Sequence, residues 1–463
     1  MNNPFDELAK AMAQSVTRIS LGLALAVQFV SPGRAEDLYV NVAAASNGDG
    51  SAANPYRRIT DAVNRARKDR QNAAIPTSEP IVIRVAPGTY TGSYSSPGGN
   101  KQMELLPIVL NMPNVIMSGA TVLALDVRGL PTGVVPGTPE TILTNADPLD
   151  SNKQTLLAIV STTDGGAGDD VTVTGFTFDQ LEFDHFGSSV YADHVSGFTI
   201  RGNRFRHGGI QVKTIYSSGA LEENLITESP NGPGALIAGG SAEYPAQVTV
   251  RGNRIVKNAE HGLMAMPTVP HVTPDLGRNN LTTLTGQFHG SNARARRLDI
   301  TIIGNDFSQN GVLGLRFLMI CPNFVFDPVD VTATPVLAAN VLSNTLNGNG
   351  NYGLDVEGGD TFEQGDKTFS GAFMGTFSEN QMLGNGRHGA IFTFTFGGNR
   401  VPSDSSIYLR NSAYEVLDLD GELAGFDYAN PINDPIDGTP LNNMLIMNGA
   451  VVAHGIKISP RNP

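Results

Sequence analysis

Lys213, His261, Arg316, Asp355, Glu357 and His388 are the residues whose types and spacing could do chemistry together. Most stand at fixed offsets from a recurring glycine. His261, Tyr352 and His388 immediately precede Gly262, Gly353 and Gly389, while Arg316 and Asp355 stand two residues after Gly314 and Gly353. Glu357 follows at the next alternate position, and Gln211 and Lys213 take these two places in a coil aligned through Gly209. In a strand, alternate residues share a face, so such positions are expected to stack on one exposed sheet. Arg316 or Lys213 would neutralise a uronate carboxylate during an elimination. Asp355 and Glu357 would act as a carboxylate pair or hold a cation such as calcium. His261 or His388 would transfer a proton near neutral pH. Tyr352, Glu357 and Arg387 are the expected substrate contacts. The same charges also fit an ordinary solvated face.

Two further groups carry polar chemistry. Asp179, Glu182, Asp184, His185, Asp193, His194, Arg204, Arg206 and His207 include two Asp-His pairs, suited to metal binding or acid–base work and equally to loop polarity. His271, Arg278, His289, Arg294, Arg296 and Arg297 make a local basic patch that would hold an anionic polysaccharide or compensate acidic neighbours.

A repeat must position these residues. Asn253–Gly262, Asn305–Gly314, Asn344–Gly353 and Asn380–Gly389 each read as Asn, four residues, Asn, three residues, Gly. Apolar residues flank the first Asn of each unit: Val250 and Ile255, Ile302 and Phe307, Val341 and Leu346, Phe377 and Met382. Weaker copies centre on Asn203 and Asn224, with Phe176 and Ala120 replacing the Asn further upstream (Ala120 between Met117 and Val122). Period-two apolar positions broken by Asn and Gly predict short strands joined by tight bends. Each coil cannot bury its own apolar face and must stack on its neighbours, which predicts an all-β solenoid, a parallel β-helix. The leucine spacing of a leucine-rich repeat is absent. Asn is expected at the left-handed bends, its amide pairing with the Asn of the next coil, and Gly where other residues resist the backbone angles. The long stretches after Gly262, Gly314 and Gly353 are expected to leave one edge of the solenoid, either as groove walls or as decoration.

Before the coils, Leu38–Val42 and Ile81–Val85 read as strands. Between them Ile59, Ala62, Val63 and Ala66 share one face of a helix expected to cap the open end. Residues 36–100 are assigned to this cap and first strands, 101–410 to the coils, and 411–463 to a C-terminal coil or cap. The apolar run Ile19–Val30, followed by Ser31-Pro-Gly-Arg-Ala35, reads as a signal peptide over residues 1–35 and predicts a secreted, periplasmic or cell-surface protein. A net charge of −13 excludes the basic footprint of a nucleic-acid binder. The single Cys321 cannot form an internal disulfide.

Gly48-Asp-Gly-Ser, Asn54-Pro-Tyr-Arg-Arg-Ile-Thr-Asp-Ala-Val63 and Val85-Ala-Pro-Gly-Thr-Tyr90 resemble the opening of secreted pectin-lyase-like proteins. Glu104-Leu-Leu-Pro-Ile and Val115-Ile-Met-Ser-Gly119 extend this towards an uncharacterised N-terminal domain common in them. The resemblance implies a right-handed parallel β-helix over about residues 37–395. It does not imply one activity, because lyases, hydrolases, epimerases and esterases share the fold. Asp169-Asp170, Arg206-His207-Gly208 and Gln211-Val-Lys213 are only fragments of polygalacturonase motifs, and the Asp-Pro-His of alginate epimerases is missing. The expectation is a polysaccharide-binding protein, either binding alone or also acting as a lyase or glycoside hydrolase with a non-standard site; the alternative is a non-catalytic structural or adhesive surface protein.

Overall fold

At the corners that carry the repeat Asn, a residue in the left-handed region comes immediately before it. In the coil at Asn253, Gly252 has φ 63° and Lys257 has φ 60°, and each is followed by an Asn. The Asn residues of the repeat are therefore not the left-handed residues, contrary to expectation. The preceding residue makes the bend, and the Asn side chain turns inward to satisfy what the bend leaves open. Asn253 donates both its backbone N–H (2.8 Å) and its Nδ2 (3.0 Å) to Asn305 Oδ1, and donates Nδ2 to Leu221 O at 2.7 Å. The pattern repeats from Asn203 through Asn224, Asn253, Asn305 and Asn344 to Asn380. A second ladder joins Asn258, Asn310, Asn349 and Asn385. The expected pairing of Asn amides between coils is present, and it satisfies the buried amides of the ladders up to Asn385, whose Oδ1 accepts from Asn349 while its Nδ2 has no partner.

The computed structural model describes residues 36–94, 103–146, 155–161, 170–180, 187–239, 246–267, 297–318, 336–358, 362–364, 367–369, 372–378, 380–382, 384–386, 390–394, 406–410, 444–447 and 450–454. The expected leader, Cys321, His271 to Arg296, Arg387, His388 and most of the long inserts lie outside the described residues. The fold below is that of the unit Asp37–Pro463.

Three parallel sheets form the walls of a right-handed parallel β-helix. In one coil the chain visits the first sheet at Val171–Thr174, the second at Thr177–Asp179 and the third at Ser188–Asp193, then re-enters the first at Ser196–Arg201. Among the described residues, antiparallel pairing occurs only within three hairpins, spanning 123–134, 362–369 and 444–454. Inward residues line up coil on coil. On the second sheet Phe178, Phe205, Ile226, Ile255, Phe307, Leu346 and Met382 form one buried column. The Phe178 and Phe205 rings stack with centroids 4.9 Å apart.

The repeat glycine also has a different cause from the expected one. Gly262 and Gly314 do not need unusual backbone angles; an added Cβ would lie 2.5 Å from Gly314 O and 2.6 Å from Gly353 O, respectively. Close approach of the next coil excludes a side chain there.

Helix α1 (Ile59–Gln71) closes the first coils, with Ile59, Ala62, Val63 and Ala66 buried beneath it. Its N-terminus is capped from a distance. Glu104, itself buried, accepts from Ile59 N (2.7 Å), Thr60 N (2.9 Å) and Thr60 Oγ1 (2.6 Å). One expected coil is different. Val122 is half exposed rather than inward, because the chain leaves the solenoid there as a hairpin of Leu123–Leu125 and Pro131–Val134. Leu143, on Thr141–Asn145, fills the inward place on the second sheet.

Candidate functional site

The outer face of the third sheet carries the residues singled out from the repeat. Lys213, Leu236, Met264, Arg316 and Asp355 are in direct register on successive strands. Lys213 thus belongs to the Arg316 column and not to that of Glu357. Gln211, rather than Gly209, occupies the register of Gly262, which shifts this coil by two residues. His261, Leu313 and Tyr352 form the neighbouring column. Glu357 is in register with Leu318, and its side chain lies outside the described residues.

One part of this set is a true cluster. Arg316 Nη1 donates to His261 Nε2 at 3.3 Å, and Arg316 Nε lies 3.8 Å from Asp355 Oδ2. Tyr352 is half-buried in the column beside them. Lys213 is not part of it. Three strand steps of about 4.8 Å put it about 14 Å away, 5.9 Å above the ring of Tyr191.

The expected exposed face is in fact largely buried. Lys213 is 2% exposed, Asp355 5% and His261 6%. Large side chains on the same outer face, Ile210, Leu236, Met266 and Leu318, pack into an apolar cluster of their own and withdraw the polar residues from water. Burial, with the Arg316 guanidinium beside it, pushes His261 down to about 3. Its Nε2 accepts from an arginine and its Nδ1 is buried with no hydrogen-bond partner. Held neutral in this way, the imidazole is disfavoured as a proton acceptor near pH 7.

The remaining motif residues fall into two places. Asp193 accepts from Tyr191 OH at 2.8 Å and bonds His194 Nδ1 at 2.6 Å; all three are buried, Tyr191 and Asp193 on a third-sheet strand and His194 at the corner that follows it. Asp179 binds Arg206 Nη2 (2.6 Å) and His207 Nδ1 (2.8 Å) from the next coil of the second sheet. Glu182, Asp184 and His185 lie outside the described residues. Among the described residues no three His, Cys, Asp or Glu side chains converge as metal ligands.

A groove of about 820 Å³ opens instead on the second sheet. Its floor is an outward column of residues that each follow a corner position: Arg204, Leu225, Arg254, Asp306, Thr345 and Gln381. The 123–134 hairpin forms one wall through Arg128, Thr132 and Gly133. Arg254 Nη2 binds Asp126 Oδ2 at 2.6 Å and its Nε binds Asp306 Oδ2 at 3.2 Å. Arg128 reaches from the hairpin to Asp306 Oδ2 (3.4 Å) and Thr345 Oγ1 (3.0 Å). These bonds pin the hairpin against coils that lie far along the chain. The residue following each Asn of the first ladder was the sequence signal for this floor: five of the six, Arg204, Arg254, Asp306, Thr345 and Gln381, are polar, and Leu225 is the exception.

No curated protein matches the chain. Among solved structures, a rhamnogalacturonan lyase is 11% identical with a TM-score of 0.44, covering 88% of this chain and 94% of its own. The pectate lyase Pel9A is 13% identical with a TM-score of 0.40, covering 83% and 77%. The A-module of the Azotobacter vinelandii mannuronan C-5 epimerase AlgE4 is 11% identical with a TM-score of 0.36, covering 81% and 94%. Likenesses this distant say nothing of activity. Over residues 42–314, more than half of its length, the chain matches the model of the family described as "protein of unknown function (DUF1565)", and it belongs to that family.

Proposed function

We propose that this protein is an extracellular polysaccharide-binding β-helix that receives a glycan chain in the second-sheet groove. The groove itself carries the reading. It crosses successive coils, so side chains recur along it every strand step of about 4.8 Å, close to the length of a hexose ring. Its floor and rim offer Arg254, Asp306, Thr345, Asn347 and Gln381, whose planar or hydroxyl groups match sugar hydroxyls. Its volume of about 820 Å³ holds several sugar rings. Export rests on the apolar run and small residues before Ala35 and belongs to the same proposal.

The test is a screen of purified protein against neutral and uronate polysaccharides, with and without calcium. Binding to at least one polymer is expected. Unsaturated products would add a lyase activity, and new reducing ends without unsaturation a hydrolase. Absence of binding to every polymer would overturn the proposal.

One observation favours the adhesive alternative. The large hydrophobic residues exposed among those described, Val122, Leu125 and Val127, all lie on the hairpin or at its base. If they meet a protein partner, Leu125→Ser with Val127→Ser would abolish cell-surface attachment and leave glycan binding intact.

A further inference from the structure

Counting its cations alone, the groove would suit an acidic polymer, because Arg128, Arg204, Arg254 and Lys257 all line it. Their partners reverse that conclusion. Arg254 is held by both Asp126 and Asp306. Arg128 is shared by the same two carboxylates, at 3.8 Å and 3.4 Å. Arg204 Nη1 lies 3.9 Å from Glu140 Oε2. Lys257, next to Val256 on the neighbouring coil, lies towards the groove's edge near Glu228, which itself pairs with His207 Nε2 at 3.3 Å. The two arginines at the centre of the groove are thus matched by two aspartates within one lattice.

This lattice is partly withdrawn from water: the side chains of Arg254 and Asp306 are only 18% and 11% exposed. A uronate carboxylate could take the Arg254 fork only by displacing Asp126 or Asp306, exchanging one carboxylate for another and leaving the displaced charge poorly solvated. A hydroxyl has no such conflict. It can accept from Arg254 Nη1, which takes part in neither of those two ion pairs, and donate to an aspartate oxygen, leaving both pairs intact. Thr345 and Gln381 continue the same uncharged chemistry along the floor.

We propose that the groove selects an uncharged glycan, and that Asp126 and Asp306 are the specificity-determining residues that set it against uronates. This rests on the reading of the groove as the glycan site, and the test separates the two. Full-length protein is titrated with polygalacturonate, with alginate, with the carboxyl-reduced form of each, and with neutral glucans, galactans and mannans.

At least one uncharged polymer should bind, and any uronate polymer should bind it about ten-fold more weakly or worse. Affinity for the neutral polymer should stay within about two-fold as ionic strength rises from about 0.01 to about 1 M, which shortens the Debye length from about 30 to about 3 Å. Asp126→Asn with Asp306→Asn should raise uronate affinity about ten-fold, and that gain should vanish at high salt. Wild-type preference for a uronate polymer would overturn the selectivity and leave glycan binding standing. Binding to no polymer would overturn both. If the double variant fails to fold, the two single variants and the wild-type salt series decide the question.

Discussion

His261 should make this protein acid-sensitive, and the size of the effect follows from its surroundings. An ordinary histidine takes up a proton near 6.5, whereas His261 in the fold does so only near 3. Between these values the unfolded chain binds a proton that the folded chain refuses. The neutral side chain therefore costs nothing above about pH 6.5 and weakens the fold progressively as pH falls towards 3, with no further loss below it. At about 1.4 kcal/mol per unit, the loss from this residue is about 2 kcal/mol at pH 5 and approaches about 5 kcal/mol at pH 3. His261→Leu removes the titrating group and places there the residue that Leu313 already supplies one coil along. Urea unfolding of both proteins at pH 7, 6 and 5 isolates the effect as a double difference. The variant should lose about 2 kcal/mol less than wild type between pH 7 and 5. Equal acid sensitivity in the two proteins would refute the reasoning.

Three further outcomes test the scaffold. Asn305→Ala removes the acceptor for Asn253 N–H and the donor to Val250 O and Asn344 Oδ1, and should cost about 2–4 kcal/mol in urea unfolding. Gly314→Ala sets a Cβ against Gly353 O and should cost about 1–3 kcal/mol, read as a lowered unfolding midpoint. Glu104→Ala strips three hydrogen bonds from the start of α1, so hydrogen exchange over residues 59–71 should speed up before that of the coils.

The coils were legible because geometry dictates their residue types. An Asn whose amide must bridge two coils, and a Gly whose Cβ would strike the next backbone, admit few substitutes, so they recur visibly. Helix α1 was legible from Ile59, Ala62, Val63 and Ala66 for the usual reason of period. The 123–134 hairpin was not, since an excursion from the repeat carries no repeat pattern, and Val122 passed for a core residue. For the site, alternation placed Arg316 and Asp355 correctly on one outer column. It could not show that Leu236, Met266 and Leu318 would bury that face, because burial depends on neighbours from other coils. Lys213 slipped by two positions because Gln211 fills the place that glycine holds elsewhere. The groove went unseen for a related reason: half of its arginine–aspartate lattice comes from the hairpin, far away in sequence.

The most direct test of the glycan-groove account sets the two outer faces against each other in one titration. Wild type, Arg254→Ala and Arg316→Ala are compared for binding to the same polysaccharide. Binding in the second-sheet groove predicts a loss of about ten-fold or more for Arg254→Ala and near-wild-type affinity for Arg316→Ala. The opposite pattern, with Arg316→Ala defective and Arg254→Ala unchanged, would place the glycan on the third sheet and contradict the account.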